Sequence, residues 1–308
     1  MAGQSEIKRY GNGGNNVSDF KVTQLKSKND MVSKFVLEKE NDIIVEAVLY
    51  KYPDFKTRTV LCISVQCGCP IGCTFCGTGK KFIRNLTADE IIEQVEIALS
   101  HIDCKPKNIG KFQIMFMSMG EPFCNYENVK EAIIALSHIY KNAQLLVSTV
   151  APSKMARHLK DFIKLSKRIP AIGLQFSLHE TTDKEREKII PKSIWLEMIA
   201  MIGESWAMAT NRKPYFNYCV KETNNKTKNI NQLLKLFDPA VWEATLSVLC
   251  STWNDDQGEQ EKQLPMVKKF ADKMTQKGYS TRVFNPISEY GSGCGMLHHF
   301  QYWLKSKI

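Results

Sequence analysis

The chain has 308 residues, of which 43% are hydrophobic, enough to build one large domain with a core and too many for a disordered polymer. It has no uninterrupted apolar run of membrane-spanning length and its polar start lacks the apolar segment of a secretory signal, so the expectation is a cytoplasmic protein with no membrane partner. The 42 Lys and Arg residues exceed the 32 Asp and Glu residues, and the net charge of +10 favours a polyanionic partner such as nucleic acid.

Residues 1–32 read as a flexible polar arm, with Gly11, Gly13 and Gly14 among asparagines. Residues 33–57 read as a hairpin extension: KFVLEKE, a turn at Asn41-Asp42, then IIVEAVLYKY, with β-branched residues in partial alternation. From 58 to 284 apolar strand-like runs alternate with amphipathic helical stretches. TVLCISV precedes TADEIIEQVEIAL, FQIMFM precedes ENVKEAIIALSHIY, and QLLVST precedes SKMARHLKDFIKL. IGLQFSL then precedes IWLEMIAMI, YFNYCV precedes INQLLKLF, ATLSVLC precedes QLPMVKKFADKM, and a last strand falls near YSTRVF. Six parallel βα units imply an α/β fold, a partial (βα)6 barrel related to the TIM barrel. Thr87 followed by Glu90 marks a capping box at the first of these helices. Residues 285–308 read as a C-terminal loop and tail.

Five of the ten cysteines fall between Cys62 and Cys76, a crowding that in a large chain without a signal points to metal or redox chemistry. Cys69, Cys73 and Cys76 stand at C-x3-C-x2-C spacing on the loop after the first barrel strand, where barrel enzymes place their chemistry. Thiolates are soft ligands suited to iron–sulfur clusters, and three of them leave one iron of a 4Fe-4S cluster open. A zinc knuckle with Cys67 as fourth thiolate is the competing reading of the same residues.

The order of motifs TVLCISVQCGCPIGCTFCGTG, RNLTADEIIEQV, MSMGEP, VSTVAPS, FSLHETTDKEREKIIP and GCGML resembles the RlmN/Cfr family of radical S-adenosylmethionine (SAM) RNA methylases. The resemblance runs from about Ser33 to His298. It implies a 4Fe-4S cluster on Cys69, Cys73 and Cys76, with SAM on its open iron. It also implies that Gly120 and Glu121 meet the SAM amino group, and that Ser148, Ser177, Leu178, His179 and Asn254 hold the rest of that cofactor. Cys294 resembles the cysteine that carries the methyl group, Cys62 the cysteine that resolves the covalent intermediate by forming a disulfide, and Glu46 a proton acceptor. The implied activity is methylation of carbon 2 or carbon 8 of an adenine in ribosomal or transfer RNA, and the sequence leaves both carbons open. The implied partners are that RNA and an electron-donor reductase such as flavodoxin or ferredoxin, acting with a monomer.

Lys80, Lys81 and Arg84 beside the cysteine loop are candidates for phosphate contacts. Cys104, Cys124, Cys219 and Cys250 read as packing, and Cys67 is left without a role. The chain departs from the family pattern in lacking its helical N-terminal domain, in WNDDQ around Asn254, in SEYGSGCGML around Cys294, and in Lys192-Ser193 where Ile-Asn is usual. A radical SAM enzyme acting on another RNA, a peptide or a small molecule is therefore a second reading. A noncatalytic zinc-containing RNA-binding protein is a third, and visible absorbance after anaerobic purification separates it from both.

Overall fold

A computed structural model describes residues 7–8, 20–40, 42–250 and 257–286. An antiparallel run β1 (Ile7–Lys8), β2 (Lys21–Lys26), β3 (Val32–Lys39) and β4 (Ile43–Lys51) leads into the first barrel strand, β5 (Arg58–Ile63). A small two-stranded unit, β6 (Gln66–Gly68) and β7 (Phe82–Asn85), stands between β5 and helix α1 (Ala88–Leu99). The barrel continues through β8 (Lys111–Phe116), α2 (Tyr126–Ile139), β9 (Ala143–Thr149), α3 (Met155–Arg168) and β10 (Ile172–Ser177). Two helices, α4 (Asp183–Ile189) and α5 (Leu196–Thr210), follow β10. The last elements are β11 (Tyr215–Cys219), α6 (Thr227–Leu236), β12 (Glu243–Ser247), α7 (Gln257–Gln276) and β13 (Ser280–Phe284).

Among the described residues the large sheet has eleven strands in the order β1-β2-β3-β4-β5-β8-β9-β10-β11-β12-β13. From β5 to β13 every neighbouring pair is parallel, whereas β4 pairs with β5 antiparallel, Val48 opposite Cys62. In a closed barrel the first parallel strand would pair with the last. Here β4 occupies that edge of β5, which leaves a partial (βα)6 barrel with one additional strand.

One correction concerns the amino-terminal side. Lys21–Lys26, expected in a flexible arm, form β2 and pair with β3 from Lys21 opposite Glu38 to Lys26 opposite Ser33. Phe20 and Val22 are buried there against the core, so the apolar residues at 20, 22 and 25 give this stretch enough to bury despite its polar neighbours.

Period-two alternation sorts the barrel strands into two faces. Leu61, Ile114, Leu145, Val147, Leu174 and Phe176 pack outward into the main core beneath the helices. Val60, Cys62, Met115, Ser148, Gln175 and Ser177 have the opposite parity and line the inner wall. Helix α1 begins with the expected capping box: Glu90 N–H donates to Thr87 Oγ1 at 3.2 Å and Thr87 N–H donates to Glu90 Oε2 at 3.0 Å. No helix among the described residues is long and apolar enough to cross a membrane.

Candidate active site at the carboxyl mouth of the barrel

The cysteine loop is closed at its base by the β6–β7 pair, with Cys69 N–H donating to the Lys81 carbonyl at 3.0 Å. Gly68 makes this possible: its φ is +78°, and a Cβ there would fall 2.0 Å from the Lys81 oxygen. Above this neck, Cys69, Cys73 and Cys76 share an apolar nest with Ile71, Phe75 and Ile190. Backbone bonds tighten the nest, Cys76 N–H to the Cys73 carbonyl at 3.2 Å and Thr74 N–H to the Ile189 carbonyl at 3.0 Å.

Burial pushes the Cys69 and Cys73 thiols up, and each is pushed further by Cys76. Thiols whose ionisation is hindered by burial call for a cationic centre to hold them as thiolates. This set fits a cluster whose irons take one thiolate each. Among the described residues, no group of three or more His, Cys, Asp and Glu side chains is placed to hold a single metal ion. Cys67, the fourth ligand a zinc knuckle needs, lies instead in the main core. Its Sγ donates to the Ile44 carbonyl at 3.3 Å, and burial pushes its thiol up to about 11. Cys124 was read as packing, yet it borders the cysteine nest, and burial and Glu121 push it up to about 11. Its place two residues after the MGEP motif was the available signal.

Gly120 and Glu121 form the turn after β8. Gly120 has φ +97°, and a Cβ there would meet the Gln66 side chain at 2.6 Å. Gln66 occupies that space because its Oε1 accepts from Glu121 N–H at 2.8 Å and its Nε2 donates to Asn85 Oδ1 at 2.7 Å. The Glu121 carboxylate is buried and accepts from Thr149 Oγ1 at 2.6 Å, Val150 N–H at 2.9 Å and Phe123 N–H at 3.1 Å. Burial raises its pKa to about 7, against the pull of these donors. Glu121 thus ties the end of β9 to the turn, and its charge is already shared among protein donors.

A cavity of about 130 Å³ opens at this end of the barrel, lined among others by Phe75, His179, Asn217, Cys219, Ser247 and Cys250. His179 Nδ1 accepts from Cys219 N–H at 3.1 Å, which puts the proton of the neutral ring on Nε2. Burial, with Arg186 and Lys221 nearby, lowers its pKa to about 3, so the ring is neutral at physiological pH. Ser148 accepts from Gln175 Nε2 at 3.2 Å on the inner wall, and Ser247 donates to Asn217 Oδ1 at 3.1 Å. Leu178 faces the main core, its N–H donating to the Asn217 carbonyl at 2.9 Å and its carbonyl accepting from Arg186 Nε at 3.2 Å. A wall of hydroxyl, amide and imidazole groups beside Phe75, Val248 and Leu249 suits a nucleoside with a charged tail.

Arg186 is the residue that sequence reasoning passed over. Its buried guanidinium donates to the carbonyls of Leu178 (3.2 Å), Ser177 (3.0 Å), Val150 (2.8 Å) and Ile194 (3.0 Å), and to Ser193 Oγ at 2.6 Å. It joins the ends of β9 and β10 to the loop before α5, and its charge acts on both Cys73 and Glu121. The HETTDKEREKII stretch contained it, but only the fold shows that this arginine points inward.

Cys62 is half-buried on the inner wall, packed with Val48, Val60 and Met115. Glu46 shares that face, two residues from Val48, and its Oε2 lies 2.5 Å from Lys34 Nζ, both side chains being at most 1% exposed. A solvated hairpin carboxylate is thereby excluded. Lys34 was not singled out from the sequence, although strand parity alone puts it on the same face of β3 as Val32 and Val36. Arg84, a candidate phosphate contact, instead pairs with both oxygens of Glu90 at 2.7 Å, whereas Lys80 and Lys81 are exposed. Cys294 and Asn254 lie outside the described residues.

Residues 63–206 match the Radical SAM superfamily. The chain is 31% identical over 290 residues to the dual-specificity RNA methyltransferase RlmN of Vesicomyosocius okutanii, covering 90% of this chain and 77% of that protein. It is 33% identical over 227 residues to the probable dual-specificity RNA methyltransferase RlmN of Fervidobacterium nodosum, covering 71% of this chain but only 60% of that relative's length. A crystal structure of a radical SAM methyltransferase from Sphaerobacter thermophilus shares the fold, with a TM-score of 0.73 and 24% identity over 91% of this chain and 81% of that one. With the cysteine nest at the mouth of a partial barrel and this similarity along the sequence, the chain belongs to the RlmN family of radical SAM proteins.

Proposed function

We propose that the chain methylates carbon 2 or carbon 8 of an adenine in ribosomal or transfer RNA, through a methyl group carried on a cysteine. Cys69, Cys73 and Cys76 would hold the 4Fe-4S cluster. Gly120, Glu121, Ser148, Ser177, Leu178, His179 and Asn254 would hold SAM. When bound, these two groups supply the adenosyl radical that an electron-poor ring carbon requires, since such a carbon does not attack a methyl donor as a nucleophile.

The rest of the reaction falls to the chain's own side chains. Cys294 thiolate accepts a methyl group and presents its carbon to the ring. Once that carbon has lost one hydrogen atom and bonded to the ring, the adduct gives up one electron to the oxidised cluster and the ring carbon's proton to Glu46. The Glu46 carboxylate lies against the Lys34 ammonium, both side chains being buried. Cys62 thiolate then attacks the Cys294 sulfur, which frees the methylated RNA and leaves a disulfide for an external reductant to open. A flavodoxin or ferredoxin would supply the electrons.

The observation that carries this reading is that Cys62 and the Lys34–Glu46 pair share one inner wall, on the strand that runs into the cysteine loop and on its neighbours. The test uses anaerobically reconstituted protein with RNA and SAM. Cys62→Ala should accumulate a covalent protein–RNA adduct, visible as a shifted band that nuclease removes. Cys294→Ala should still cleave SAM while transferring no methyl group, and a methylating Cys294→Ala protein overturns the mechanism. Mass spectrometry of digested RNA reads out the carbon.

A further inference from the structure

The outer side of the cysteine loop carries lysines and exposed apolar side chains that neither the cavity nor the inner wall uses. Lys192, one of the departures from the family pattern, has left-handed backbone with φ 64° and donates from Nζ to the Pro70 carbonyl at 2.7 Å. That conformation is uncommon for a long side chain. Here a Pro152–Ser193 bridge and the Arg186 bonds to Ser193 and Ile194 hold it in place. Lys154 is exposed two residues after Pro152 of the same bridge, and Cys124 borders the cysteine nest. Lys80 and Lys81 are exposed at the neck of the loop, beside Phe82 at 43% exposure. Trp195 is 69% exposed, and Met198 and Met201 follow it at helical spacing, at 42% and 62%. None of these residues lines the cavity.

We propose that this face is the docking site of an acidic electron-transfer protein carrying a low-potential flavin or iron–sulfur group. The proposal rests on the reading of Cys69, Cys73 and Cys76 as cluster ligands. One electron leaves the donor's reduced cofactor and enters the cluster, with no bond made or broken in the docking step. Phe75 and Ile189 of the nest line the cavity, so a donor approaches from the other side, where Lys192 covers the Pro70 carbonyl of the loop. Four exposed lysines around this cover match an acidic surface and accelerate its encounter. Trp195, Met198, Met201 and Phe82 supply the apolar and aromatic contacts that anchor protein interfaces. An RNA stacked on Trp195 and held by these lysines is the outcome that the experiment separates.

The experiment compares reconstituted wild-type protein with a Lys154→Glu/Trp195→Ala variant, following loss of the cluster's visible absorbance by stopped flow. The probes are reduced flavodoxin and dithionite, the second a small ion that needs no docking surface. Flavodoxin should reduce the variant about tenfold more slowly at low salt, with a weaker dependence on ionic strength. Dithionite should reduce both proteins at rates within about twofold, since it does not depend on steering between two protein surfaces. An unchanged flavodoxin rate, or an equal loss with both reductants, overturns the proposal. Loss of RNA affinity with an unchanged flavodoxin rate also overturns it and gives the face to RNA. Reduction through this face in a protein that transfers no methyl group supports the docking site and overturns the function proposed above.

Discussion

Lys34, Glu46 and Arg186 are charged side chains buried to within 1% of full burial. Lys34→Met takes the ammonium away from the buried Glu46 carboxylate, and breaking such a buried pair costs about 3–5 kcal/mol. Pairing it with Glu46→Leu should recover most of that loss, which chemical denaturation of the single and double variants would measure. If the double variant is no more stable than Lys34→Met, the ion pair is not the cause. Arg186→Lys keeps a charge but cannot reproduce the planar fork that reaches four carbonyls. Each buried carbonyl left unpaired costs about 1–3 kcal/mol, so a loss of at least about 3 kcal/mol is expected, together with weaker SAM binding by calorimetry. The sequence made the cysteines legible because their spacing is itself chemical. It concealed Lys34 and Arg186 because a charged residue in a strand or short helix reads as solvated until neighbouring elements close over it.

At the scale of elements, Glu90 connects three of them. It completes the capping box of α1, pairs with Arg84 of β7, and accepts from Lys39 of β3 at 3.1 Å. Burial works against its ionisation, but the Arg84 bond, the Thr87 N–H and Lys39 outweigh it and lower the pKa to about 2 from the ordinary 4.5. A carboxylate whose folded pKa is depressed contributes stability above its unfolded pKa, and that contribution is lost as pH falls from about 4.5 toward 2. Thr87→Ala should cost about 1 kcal/mol at pH 7, and Arg84→Ala should flatten the acid limb of the stability profile. Thermal melts from pH 7 down to pH 3 would check both. The capping box and the βα alternation were readable because they depend on residues close in sequence. Strand β2 was not, because its partner in β3 is needed before a run such as KVTQLK has anything to pair with.

At the scale of the molecule, the order of the sheet decides what the barrel can be. The alternation of strand-like and helical runs leads correctly to the six βα units, but it does not say what covers the outer edge of β5. That edge belongs to β4, paired from Val48 opposite Cys62 to Lys51 opposite Thr59. The net charge of +10 adds a long-range field, so RNA affinity should fall steeply between about 50 and 200 mM salt, and a flat salt profile would argue against phosphate contacts.

Because β5 is hydrogen-bonded on both sides, to β4 and to β8, its amides have no local route to water. In native-state hydrogen exchange they should open only with global unfolding, whereas β13, last in the sheet order and with exposed Val283 and Phe284, should exchange through local openings. The wall would then breathe from its β13 side, while Cys62 sits on a strand paired on both edges. A thiol mounted there is held in a fixed position, and under the proposed mechanism the motion that brings two sulfurs together must come from the other cysteine.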